Sequence, residues 1–168
     1  MSNYTRTTRN CSVSQLNPAL SQPIREFFQV HQLGDAETGT LKCCETLSNK
    51  SASGKLAFLL EGDPDTTSHL ATLLTPDWLI WIRSGDRTGT VVSGCKLIGL
   101  QVKAFTARRT QYMQLEVSAF IGDSKEYMRG NLELGPELAA QKFCEEVVQA
   151  VLKLNPPLKR KGLRWFGT

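Results

Sequence analysis

Apolar residues recur at two different intervals in this chain, and the switches between them mark its elements. From Asn17 to Leu33, "NPALSQPIREFFQVHQL" spaces Leu20, Ile24, Phe27, Phe28, Val30 and Leu33 as a helix face would. The spacing predicts a helix over 17–33, most securely after Pro23, because proline suits a first helical turn. "GDAETG" ends it, with Gly34 and Gly39 as turn residues. The interval then shortens. "TLKCCETLS" alternates weakly, "GKLAFLLEG" is an apolar run between glycines, and "HLATLL" and "WLIWIRS" flank the turn "TPD". Each run reads as a strand. In that turn Pro76 presets φ and Asp77 can bond its own backbone. "SGDRTG" makes the next turn. "TVVSGCKLIGLQVKAF" is a longer extended stretch, with Gly94 and Gly99 expected at bulges or tight bends. In "LEVSAFI", Leu115, Val117, Ala119 and Ile121 share one face, and Glu116 and Ser118 take the other. "GDS" and "KEYMRGNLEL" complete a hairpin.

The helical interval returns in "GPELAAQKFCEEVVQAVLKLNPP". Phe143, Val147, Ala150, Val151 and Leu154 form a stripe, with Leu138 or Ala139 leading in. Pro136 is expected in the first turn, with the Glu137 carboxylate close to the positive end of the helix dipole. Asn155-Pro156-Pro157 stops the helix, since a proline lacks the N–H and disfavours helical geometry just before it. The order is a helix, about seven strands and a terminal helix over 136–154. With short connections, this predicts an α+β, mostly antiparallel fold in which a sheet curls on itself and the last helix covers one end.

"LATLLTPDWLIWI" and the helix 136–154 resemble the corresponding hairpin and terminal helix of bacterial pleckstrin-homology-like domains, over roughly residues 40–155. The resemblance implies a partly open barrel of about seven strands, capped by the C-terminal helix. It also implies one of that group's functions: phosphoinositide binding, peptide binding or assembly. The basic cluster that marks phosphoinositide binders in the first hairpin loop is not found. The corresponding "NKSASGK" carries only Lys50 and Lys55.

Composition fits one domain with tails. The chain has 168 residues, 40% of them apolar and 21% charged. Its longest apolar runs, Leu56 to Leu60 and Trp78 to Ile82, are too short to cross a bilayer. No apolar segment of the secretory kind follows the start. The first stretch has arginines and hydroxyls without acids and no amphipathic stripe before Ile24, so residues 1–16 are expected to be disordered. The domain is then 17–155, followed by a tail, 156–168. The net charge of +4 resides in "LKRKGLRWFGT", and the rest of the chain is formally neutral. Five cysteines without paired spacing suggest a reducing compartment, hence the cytoplasm, rather than a disulfide framework.

Few segments suggest chemistry. "GTVVSGCK" mimics a phosphate loop, but Cys95 displaces the lysine by one place and the valines make a strand. "EGDPD" offers Glu61, Asp63 and Asp65 as oxygen ligands but lacks the longer series of a calcium loop. Cys43 and Cys44 are adjacent, which suits opposite strand faces better than a shared metal, and no zinc spacing occurs. No nucleophile elbow joins Cys95 or Cys144 to His31 or His69. Trp78 and Trp81 stand three apart, so a strand sends them to opposite faces. One is expected to be largely buried, and the other partly exposed or covered by a non-sheet element. In the tail, Lys159, Arg160, Lys161 and Arg164 accompany Trp165 and Phe166. That composition suits a partner-binding anchor as well as a solvated end.

No catalytic, cofactor or metal residue is assigned. The expected function is a non-enzymatic binding or assembly module, first of all a protein-interaction adaptor with a protein partner. A peripheral binder of an anionic membrane surface through the tail comes second, with nucleic acid behind it. A small enzyme comes third.

Overall fold

A computed structural model describes residues 4–50, 65–108, 110–120 and 127–156. The expectations for "GKLAFLLEG", for the "GDS" turn and for the tail beyond Pro156 lie outside these residues. Eight strands are described, in two antiparallel sheets. The first sheet runs in chain order: β1 (Tyr4–Asn10), β2 (Lys42–Lys50), β3 (Thr67–Leu74), β4 (Trp78–Gly85) and β5 (Gly89–Lys96). The second holds β6 (Gln101–Thr106), β7 (Met113–Phe120) and β8 (Tyr127–Glu133). Helix α1 spans Pro18–Val30, a short α2 spans Ala36–Gly39, and α3 spans Leu138–Leu154. The fold is α+β, mostly antiparallel, with a C-terminal helix. The described strands form two separate sheets and no closed barrel, where one curled sheet was expected.

The alternation within each strand explains the layers. On the first sheet, Cys43, Ala71, Leu73, Ile80 and Ile82 face outward and are buried beneath Leu20, Ile24 and Phe28 of α1. The opposite face contributes Cys44, Leu74, Leu79 and Cys95 to a second core. There they meet Leu115, Val117 and Leu132 of the second sheet, and Ala140, Phe143, Cys144, Val147 and Val151 of α3. Burying such side chains contributes about 1.5–3 kcal/mol each. Helix α3 touches β1 and β2 on one side and β6 and β7 on the other, so it fills the gap between the sheets.

Several expectations change in detail. The N-terminal stretch is a strand, not a disordered arm: β1 pairs with β2 from Tyr4↔Lys50 to Asn10↔Cys44, and a single 3-10 turn at Val13–Gln15 follows. Helix α1 starts at Pro18, capped by the Asn17 side chain, which accepts from Ala19 N at 3.0 Å. Pro23 therefore lies inside the helix, and Val30 is off the stripe and exposed. The terminal helix starts two residues later than expected. Glu137 is its N-cap residue, but its carboxylate accepts from Thr8 N at 2.8 Å instead of from the helix. Ala140 is the buried residue of the first turn. Leu138 at its start and Leu154 at its end are exposed, because the sheets do not extend over them. In the "TPD" turn it is Thr75, not Asp77, whose side chain does the capping. Its hydroxyl accepts from Trp78 N at 2.9 Å. Gly94 stays in register opposite Ile80, where Phe27 lies so close that a Cβ would collide with its ring. Gly99 makes the tight bend between β5 and β6, at φ +76°.

Candidate functional site

The inner face of the first sheet has two unlike ends. Antiparallel register fixes which residues share it: Arg6 lies opposite Ser48, Ser48 opposite Ser68, Leu70 opposite Arg83, and Trp81 opposite Ser93. At the end near α3 this face is apolar and covered. At the other end, Tyr4, Arg6, Ser48, Ser68, Leu70, Trp81, Arg83, Val91 and Ser93 line a groove of about 730 Å³, bounded across the gap by β8 at Gly130, Asn131, Leu132 and Glu133.

Each wall has a local cause. Arg6 forms an ion pair with Glu133 and lies over the rings of Tyr4 and Tyr112, at 5.4 and 5.2 Å from their centroids. A guanidinium held between aromatic faces keeps its direction better than a solvated one. Tyr4 is fixed in turn, its hydroxyl donating to Asp65 O at 3.0 Å. Gly130 lets β8 approach, since a Cβ there would press on Val117 at 3.0 Å and reach the Trp81 ring at 3.8 Å. Trp81 therefore stands at the boundary, packed against the core on one side and lining the groove on the other. The lining combines an indole, two guanidinium groups, one carboxylate, the Tyr4 ring and three serines. Such a surface can stack on flat or apolar groups and hydrogen-bond carboxylates, while its hydroxyls accept or donate.

The loop "SGDRTG" does different work from a phosphate cradle. Asp65 is buried, and its carboxylate accepts from Arg87 N at 2.8 Å, Thr88 N at 3.0 Å and the Thr88 hydroxyl at 2.5 Å. The amides that could meet an anion are already satisfied by one belonging to the chain. Burial raises the Asp65 carboxyl, but the bonds from Thr88 and Arg87 outweigh it and hold it below the usual carboxylate range. Asp86 answers across the turn by accepting from Thr66 N at 2.9 Å and from the Thr66 hydroxyl, and the latter bond chiefly lowers its carboxyl too. At Gly85 any Cβ would run into the Asp65 carboxylate. Glu61 and Asp63 lie outside the described residues.

The two tryptophans take opposite faces and Trp78 is covered by a helix, as expected, but both are half-buried and neither is the largely buried one. Trp78 sits under α1, with its ring centroid 5.9 Å from that of Phe27 and 5.0 Å from that of His31. His69 donates or accepts at both nitrogens, Nδ1 to Glu45 at 3.1 Å and Nε2 to Asn17 Nδ2 at 3.4 Å. Asn17 Oδ1 already accepts from Ala19 N, so Nδ2 is the donor toward Nε2 and the ring proton sits on Nδ1. Glu45 is buried and also accepts from Arg9, at 2.6 Å. This cluster ties α1 to the sheet. Burial pushes the Cys95 thiol up to about 12 and the Cys144 thiol up to about 11, and both lie within the inner core.

Among the described residues, no group of three or more His, Cys, Asp or Glu is placed to hold a metal ion. None of their helices is long and apolar enough to cross a membrane. The tail residues Lys159, Arg160, Lys161, Arg164, Trp165 and Phe166 lie outside them. Of the groove, the sequence singled out only Trp81, as one of a tryptophan pair on opposite strand faces. Most of its other residues are polar positions spread over six strands, and strand register is needed to bring them together.

No family model and no curated protein matches the chain.

Proposed function

We propose that this chain is a non-enzymatic binding module of the pleckstrin-homology-like kind: a cytoplasmic protein-interaction adaptor that holds an extended, acidic peptide in the groove. One observation carries the reading: the same sheet face is apolar and covered at one end, but bears an indole, serines and arginines along an open groove at the other. A face built only for the core has no use for those groups. Among the described residues β8 is last in its sheet's strand order and pairs with β7 alone, so half its backbone groups are not used there, and it borders the groove. A peptide laid along it gains main-chain bonds, and its side chains meet Trp81 and Arg83.

The test is selection from a displayed peptide library, followed by binding of the enriched peptides to three variants. Arg83→Glu and Trp81→Ala are each expected to weaken binding at least tenfold, whereas removal of 158–168 leaves it unchanged. Peptides that bind Arg83→Glu normally and are lost with the tail would move the function to the basic-aromatic segment. Failure to enrich any peptide would sink the reading.

A further inference from the structure

Cys11 follows β1 directly and stands opposite Cys43 of β2, one step beyond the pair Asn10↔Cys44. Its N–H donates to Cys43 O at 3.2 Å, and the two Sγ atoms are 3.6 Å apart. We propose that Cys11 and Cys43 form a thiol–disulfide exchange site whose co-substrate is a low-molecular-weight disulfide and whose product is a β1–β2 cross-link. Closing the gap to an S–S bond of about 2 Å asks less than about 1 Å of each sulfur, within reach of side-chain rotation.

The two thiols are unequal in the way exchange requires. Cys11 is partly exposed and Cys43 is buried. The two sulfurs share an S–H···S bond, and this bond to Cys43, aided by Arg9 and opposed by burial, Glu45 and Glu37, holds the Cys11 thiol below its ordinary value. Cys43 is pushed up, first by the same bond and then by burial. One accessible thiolate attacks and one covered thiol resolves. Cys44, Cys95 and Cys144 are buried, and burial pushes each upward, so they do not compete.

The steps balance. The Cys11 thiolate attacks one sulfur of RSSR, the RS–SR bond breaks, and RS⁻ leaves. Once Cys11 is in the mixed disulfide, its negative charge no longer holds up the proton of Cys43. That proton passes to the departing thiolate, Cys43 attacks the Cys11 sulfur, and the second R group leaves as a thiol after taking up the Cys11 thiol's original proton from solvent. Two protein thiols lose two electrons and two protons, and RSSR becomes two RSH.

The reduced full-length chain is incubated with excess oxidised glutathione, quenched in acid, alkylated after denaturation and mapped by mass spectrometry. We expect one intramolecular disulfide, Cys11–Cys43, reversed by reduced glutathione, with the other three cysteines alkylated. The melting temperature should rise on the order of 5–10 °C, because the cross-link restricts the unfolded chain. Cys43→Ser should stop at the mixed disulfide on Cys11. The wild-type map alone decides the matter if that variant fails to fold. Cys11 remaining in a mixed disulfide, both thiols remaining free, or a bridge to Cys44 would each overturn the proposal.

Discussion

The Asp65 carboxylate accepts three hydrogen bonds from Arg87 and Thr88, and with Asp86 it clamps the β4–β5 turn to the start of β3. Bonds to a charged group contribute about 1.5–3 kcal/mol, and two amides would lose their partner with it. Asp65→Ala is therefore expected to cost about 2–4 kcal/mol in denaturant unfolding. The sign of the pH effect follows from the lowered carboxyls of Asp65 and Asp86. Their contribution is complete above the ordinary carboxylate value of about 4 and is lost as pH falls through their lower folded-state values. The wild type should thus lose more stability on acidification below about pH 4 than Asp65→Ala does. Parallel pH profiles for the two proteins would refute this.

Helix α3 was readable because its neighbours on both sheets are apolar: the stripe Phe143, Val147, Val151 is buried where the interval of about 3.6 residues puts it. The ends were less readable, since a period says nothing about where the sheets stop. Val147 is fully buried and Leu154 is 40% exposed. Val147→Asp should cost more than about 4 kcal/mol by burying an unpaired charge, while Leu154→Asp should stay within about 1 kcal/mol. Equal losses in thermal melts would mean that α3 packs differently. Strands β3, β4 and β7 were visible for the same reason as the stripe. β1 was not. "YTRTTRN" lies at the edge of its sheet among the described strands, and its inward residues are Tyr4, Arg6 and Thr8, so it shows no apolar alternation. Only its β-branched threonines hint at extension. The groove stayed hidden for a related reason. Its inward positions are serines and arginines, which resemble solvent-facing residues until register sets them side by side.

The two sheets are held together in two different ways. Near α3, apolar side chains close the interior. Where β8 leaves its sheet, polar bonds to β1 do the joining. Arg6 pairs with Glu133, Gly135 N donates to the buried Thr8 hydroxyl at 2.6 Å, and Thr8 N donates to Glu137. Thr8 and Thr46 also share a bond, at 2.8 Å. A Cβ at Gly135 would strike the Glu137 carboxylate and Thr8 N, so the chain turns there in contact with β1. β1 is thus the strand that connects the second sheet to the far edge of the first and supplies the Tyr4 and Arg6 wall of the groove. Deleting residues 1–10 is expected to lower the melting temperature steeply or prevent folding, since it uncovers the β2 edge and leaves Glu133 and Glu137 without these partners. If that protein cannot be obtained, Thr8→Val isolates the joint. The substitution keeps the shape, removes the acceptor for Gly135 N, and should cost about 1–3 kcal/mol. A truncated chain that melts like the wild type, together with a neutral Thr8→Val, would show that β1 is an appendage and that the groove lacks its arginine wall.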